Sequence, residues 1–228
     1  MHLFLDANKL LAFYGLPKAQ LAELEKLVEL VKDGTVTLYL PDQVVAEVRR
    51  NRGKVLSQLR KVLSDARILV PLPESSDQFA EREALRTAQK EAHKRHSDLV
   101  QAFDAAAEGR TLAADTLIEQ LFAACEHIDT AELVGRARER HDRGQPPGKG
   151  SHIGDEINWE ALLATAPAGA DMHIVADDGD YFSQLDKERI HESLHAEWKE
   201  KKEASLRAYR DLASLTGEHF PEIALASD

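Results

Sequence analysis

Hydrophobic and polar positions along the chain change period several times, and each change predicts an element. His2-Leu3-Phe4-Leu5 is an apolar run of strand length that stops at Asp6. After Pro17, which suits a helix start, Leu21, Leu24, Leu27, Val28 and Val31 fall at helical spacing up to Gly34. Residues 35–40, Thr-Val-Thr-Leu-Tyr-Leu, are rich in β-branched side chains and predict a second strand. Pro41 opens another helix, carrying Val44, Val45, Val48, Val55, Leu59 and Leu63. Ile68-Leu69-Val70 is a brief apolar segment closed by Pro71 and Pro73.

From about Ser76 to His141 the pattern is helical, with few aromatics, alternating charges and a weak apolar face, which predicts long and largely exposed helices. The Pro- and Gly-dense stretch 144–150 must be a loop. Gly154-Asp155-Glu156 then starts a helix with Ile157, Ala161 and Leu162 on one side. Residues 172–176, Met-His-Ile-Val-Ala, form a buried strand that runs into Asp177, Asp178 and Asp180, and a last amphipathic helix covers roughly 194–215. There is no internal repeat.

Strands alternating with helices predict an α/β fold with a central parallel sheet. Ligands of such sheets bind beyond the carboxyl ends of the strands, where Asp6 and Asp178 could meet. A length of 228 residues fits one domain, 1–228, with 74–145 as a helical insertion within it.

Composition narrows the class. Hydrophobic residues make up 43% and charged residues 30%, as in soluble globular chains. Cys125 is the single cysteine, so neither a disulfide framework nor a cysteine zinc cluster exists within one chain. The start lacks a secretory pattern and no segment has the apolar length of a membrane span, which predicts a cytoplasmic protein. The net charge of −11 repels polyanions, so a nucleic-acid ligand needs a local basic track.

Four carboxylates stand out by position: Asp6, Glu47, Asp155 and Asp178. Each has an ordinary use, as a helix cap, the edge of a core stripe, a first-turn acid or a turn residue. Together they offer the oxygen ligands that Mg²⁺ or Mn²⁺ requires. A carboxylate directly behind an apolar strand is costly to bury without a partner or a metal.

The stretches LFLDANKLLAFY at 3–14, LPDQVVAEVRRNR at 40–52, PPGKGSHIGDEINWEALL at 146–163 and HIVADDGDYFSQL at 173–185 resemble the PIN-domain nucleases. The likeness is to a PIN-like subgroup with a long helical insertion, and it implies a three-layer α/β/α fold. It also implies that Asp6, Glu47, Asp155 and Asp178 form the family's catalytic, metal-binding quartet, with Asn8 as the small polar residue two positions after the first acid. Where the family offers one acid shortly before an aromatic, this chain has Asp177, Asp178 and Asp180 before Tyr181. Asp178 is assigned, with Asp180 as the alternative or a supporting partner.

The implied reaction is Mg²⁺- or Mn²⁺-dependent hydrolysis of phosphodiester bonds in single-stranded RNA. The implied roles are toxin, defence effector or RNA processing, with an antitoxin or another protein on the inserted helices. For the basic track, Arg49, Arg50 and Arg52 follow Glu47, and Arg136, Arg138, Arg140, Arg143 and Lys149 lead into Asp155. Lys149 is the foremost substrate contact.

Three rival readings have their own residues or logic. His191-Glu192-Ser193-Leu194-His195 fits the HExxH pattern of zinc peptidases, although no third ligand follows at short spacing. A PIN-like fold can also bind RNA or protein without cutting. A DNA nuclease is the third, since a metal site of this kind treats both sugars alike.

Overall fold

A computed structural model describes residues 1–148 and 152–221 of the chain. Five strands build one sheet: β1 (His2–Leu5), β2 (Thr37–Pro41), β3 (His127–Ile128), β4 (Met172–Val175) and β5 (Leu206–Tyr209). All pairings are parallel, in the order β3-β2-β1-β4-β5. Leu3, Phe4 and Leu5 are at most 3% exposed, because β1 is the middle strand and is covered on both faces. Its register sets Phe4 opposite Tyr39 of β2 and Ile174 of β4.

Nine helices are described: α1 (Ala7–Ala12), α2 (Lys18–Lys32), α3 (Asp42–Ser64), α4 (Glu81–Glu108), α5 (Ala113–Ala124), α6 (Val134–Asp142), α7 (Gly154–Thr165), α8 (Glu192–Lys202) and α9 (Leu212–His219). The chain steps outward from β1 to β2 and β3, then returns to the far side of β1 for β4 and β5. Right-handed crossovers therefore place the first set of helices on one face and the later set on the other. The packing agrees: α2 lies on α5, while α6 and α8 both pack on α7. The result is a three-layer α/β/α fold, and the reversal of direction falls between β1 and β4, where open parallel sheets bind ligands.

The chain divides into two units, Met1–Arg52 with Ala113–Asp228, and Gly53–Leu112. The second contains the later part of α3 and all of α4. Within it Arg60 holds Asp104 through two hydrogen bonds of 2.7 and 2.9 Å, and the His96 ring bonds to the Leu63 carbonyl at 2.7 Å. No residue of α4 is buried, and Phe79, Leu85 and Leu99 stand in solvent.

The brief apolar segment 68–70 pairs with no described strand, and its Leu69 and Val70 are 52% and 60% exposed. Two expectations about elements need correction. The helices of 76–141 are not uniformly exposed, because Ala114, Ile118, Leu121 and Phe122 give α5 a buried apolar stripe. The last predicted helix is two helices with β5 between them. Glu203 turns left-handed at φ 56° and ends α8, after which Leu206–Tyr209 pair with β4. Asp211 then restarts a helix by accepting a hydrogen bond from the Ser214 N–H at 2.6 Å.

Candidate metal centre

Asp6 is the first residue after β1, and its backbone N–H donates to the Val175 carbonyl at the end of β4, at 3.0 Å. That bond ties the two central strands together at the acid. On the neighbouring strand, Asp178 caps a short 3-10 turn, Gly179–Tyr181, by accepting from the Asp180 N–H at 3.0 Å. Asp155 is the second residue of α7, and Glu47 lies in the second turn of α3. The starts of α3 and α7 approach closely at Gly154. A Cβ there would stand 3.0 Å from Gln43 Nε2 and 3.8 Å from Glu47 Oε2.

The four carboxylates act on one another. Burial first, then the charges of Asp6, Asp178 and Glu47, push the Asp155 carboxyl up to about 8. Asp6 is only 3% exposed, and burial together with the charge of Glu47 raises it to about 6, against the pull of the Ala7 and Asn8 backbone N–H groups. Acids from four separate parts of the chain therefore share one electrostatic neighbourhood.

Several buried polar atoms near these acids have no hydrogen-bond partner. Asp6 Oδ2, Glu156 Oε2 and the Tyr181 hydroxyl are fully desolvated in this way. The Tyr181 phenol is raised well above its ordinary range by burial and by the charges of Asp155, Asp6 and Asp178. Orphaned oxygens in an all-oxygen donor set fit a hard divalent cation better than zinc or copper. Among the described residues, no three His, Cys, Asp or Glu side chains by themselves form a group able to hold an ion. Water and substrate oxygens, which magnesium usually keeps, would have to complete any shell.

Glu156 and Tyr181 were passed over by sequence reasoning. Glu156 is 1% exposed, accepts from or pairs with His141 Nδ1 at 2.7 Å, and lies against Gly148. The available signal was an acid placed directly before Ile157 on the buried side of α7.

The remaining sequence-selected residues have varied positions. Asn8 is exposed, Asp180 is buried, and Asp177 is exposed and pairs with Lys9. Arg50 is exposed, and Arg49 lies 3.6 Å from Glu119. Arg52 is not on an open track: its Nε and Nη2 grip Asp115 at 2.6 and 2.7 Å, and its guanidinium lies over the Tyr14 ring. Lys149 lies outside the described residues. Trp159 and Trp198 are fully buried and pack on each other, ring centroids 5.7 Å apart.

The HExxH stretch does not present two histidines from one helix face. His191 is the N-cap of α8, its Nδ1 accepting from the Ser193 N–H at 3.2 Å, and Glu192 accepts from the Ser183 hydroxyl. His195 is exposed.

The all-parallel sheet carries acids just beyond the carboxyl ends of its two central strands, where layered α/β folds bind their ligands. The PIN-domain family model matches residues 3–181, and the chain belongs to that family. PIN domains are in general nucleases and typically use divalent metal ions. A search of curated proteins and a search of solved structures found no match. Among the described residues no helix is long and apolar enough to cross a membrane.

Proposed function

We propose that the chain is a metal-dependent endoribonuclease that hydrolyses phosphodiester bonds of single-stranded RNA, with Mg²⁺ or Mn²⁺ as cofactor. The observation that supports this reading is the mutual influence of Asp6, Glu47, Asp155 and Asp178, which come from four separate segments of the chain. These four would hold the cation, and Asp178 rather than Asp177 is the fourth, because Asp177 is committed to Lys9.

Once bound, a divalent ion lowers the pKa of water and screens the attacked phosphate. The chain's own groups do the rest. Buried carboxylates without a cation would repel a phosphodiester, so substrate binding is coupled to metal loading. Arg50 and Arg49 in α3, and Lys149, six positions before Asp155 in the sequence, are the cations assigned to the RNA backbone. Tyr181, fully buried, lies within the field of Asp155, Asp6 and Asp178.

A toxin or defence role fits the exposed apolar side chains of the Gly53–Leu112 unit, which offer a surface to an antitoxin or another protein. The deciding test is cleavage of single-stranded RNA and DNA with and without Mn²⁺ or Mg²⁺. Cutting of RNA that Asp6→Asn and Asp155→Asn both abolish, in proteins that still fold, supports the reading. Cutting that survives both changes removes the assigned site, and metal binding with no cutting of any substrate turns the protein into a binding module.

A further inference from the structure

The turn that carries Asp178 is clamped by a residue of the edge strand's end. Arg210 directly follows β5, and its Nη1 donates to the Asp177 carbonyl at 2.8 Å, while Nε and Nη2 donate to the Lys187 carbonyl at 3.2 and 2.9 Å. The guanidinium lies 3.5 Å from the centroid of the Phe182 ring, which is 1% exposed. A buried ring and two carbonyls therefore hold this cation in place, beside the peptide that leads into Asp178.

Arg210 also lines a cleft of about 670 Å³, together with Gly179, Phe182, Lys187 and Glu188. Gly179 is the residue after Asp178, so the cleft adjoins the candidate metal centre. Two cations line it against a single acid. Among the described residues, Lys187 Nζ has no hydrogen-bond or ion-pair partner, and Nη1 and Nη2 of Arg210 each keep a second N–H beyond the bonds to the carbonyls. In a chain of net charge −11 this is a local positive spot next to an acidic one. In α3, by contrast, Arg49 and Arg52 already face Glu119 and Asp115.

We propose that Lys187 and Arg210 grip a backbone phosphate of a single-stranded RNA whose neighbouring phosphodiester lies at the acids. This rests on the nuclease reading and deepens it to the course of the substrate, which passes from the acids along the turn after β4. The cleft has room for a nucleotide rather than a lone ion. The space beside Gly179 is open, with no atom within 4 Å of where a Cβ would stand. The two cations suit phosphate in different ways. A guanidinium held by its neighbours presents N–H groups at fixed angles to phosphate oxygens, whereas the exposed ammonium of Lys187 is a point charge on a flexible stem. Contacts of this kind set position and affinity and carry no base preference. Their chemistry is that of the phosphodiester, which DNA also offers.

The test uses a short fluorescent oligouridylate, a deoxyuridine strand of the same length and the dinucleotide UpU. Binding is followed by anisotropy in Ca²⁺ over a range of salt concentrations, and cutting in Mn²⁺, for the wild type, Lys187→Ala, Arg210→Gln and Lys199→Ala. Alanine at position 187 keeps the carbonyl that Arg210 holds, so this variant probes the grip with the turn intact. Lys199, exposed on α8 and outside the cleft, controls for bulk charge.

The expected result is RNA binding weakened roughly threefold to tenfold in Lys187→Ala and in Arg210→Gln, with the slope of log affinity against log salt smaller by about 0.7 in each. Lys199→Ala should bind as the wild type does. The factor by which the oligomer exceeds UpU in kcat/KM should shrink in both cleft variants. Unchanged affinity and slope in Lys187→Ala, an equal loss in Lys199→Ala, or a loss confined to DNA overturns the proposal and leaves the nuclease reading intact. If the wild type cuts nothing, that reading fails by itself. Anisotropy then decides the grip: weaker RNA binding with a smaller slope in Lys187→Ala sustains it, and equal or absent binding overturns it.

Discussion

Asp155 lies within the field of Asp6: after burial, that carboxylate is the largest influence holding the Asp155 carboxyl up to about 8. The consequence for stability follows from linkage. A carboxyl whose folded pKa is raised contributes stability that is complete below its ordinary value near 3.8 and is lost as pH rises through about 8. The metal-free protein should therefore melt lower at pH 9 than at pH 6. Asp155→Asn should raise the melting temperature at pH 9, by an amount on the order of 2 kcal/mol of stability. Thermal denaturation in chelator at both pH values checks this, and an Asp155→Asn protein no more stable than wild type at pH 9 would show that the carboxylates do not strain the fold.

Cation loading should act in the opposite sense. Mn²⁺ or Mg²⁺ relieves the repulsion among Asp6, Glu47, Asp155 and Asp178, so its addition should raise the melting temperature of the wild type. The increase should be larger at pH 8 than at pH 5, because protons compete for the same oxygens at low pH. In Asp6→Asn the increase should shrink or vanish.

Arg52 should matter for stability before it matters for substrate. Its partner Asp115 is 5% exposed, and removing the guanidinium leaves that buried charge without its cation, held by the Tyr14 hydroxyl at 2.6 Å. Arg52→Ala is expected to cost about 3 kcal/mol, read by urea denaturation. Arg50→Ala, on an exposed face, should leave stability within roughly 0.5 kcal/mol. The opposite ranking would return Arg52 to the proposed substrate track.

Gly148 is held by two constraints at once. Its φ is 116°, and a Cβ would stand 2.2 Å from Glu156 Oε1. Gly148→Ala should lower the melting temperature, and the second substitution in Gly148→Ala/Glu156→Ala should recover part of that loss by clearing the space. A double variant worse than the sum of the two single changes would show that Gly148 does not press on Glu156.

His173 provides a separate pH signature at the β4–β5 edge. Burial, then the charges of His219 and Arg207, lower its pKa to about 4. A lowered histidine contributes stability that is present above about 6.5 and lost as pH falls through about 4. Between pH 7 and pH 4 the wild type should lose on the order of 1–2 kcal/mol that His173→Phe does not lose, after allowance for solvent screening. Equal losses in both proteins would place the acid sensitivity elsewhere.

The sequence by itself determined the alternation of strands and helices, the two central strands, and the acids at their ends. These were legible because a strand buried on both faces must be continuously apolar, which makes a carboxylate behind Leu5 conspicuous. It also separated Glu47 and Asp155 from ordinary acids, but only as members of an ordered set, since each alone is a common cap or surface residue. Tertiary structure decided the rest. Whether Leu206–Tyr209 is helix or strand depends on β4 offering an open edge, and no local period carries that information. Arg52 and Arg50 are near-identical in sequence context, and only the arrival of Asp115 beside one of them turns it into scaffold. Likewise Glu156, Tyr181 and the cleft beside Phe182 come from loops meeting across the sheet end, because long-range packing, not local pattern, fixes which polar atoms are desolvated together.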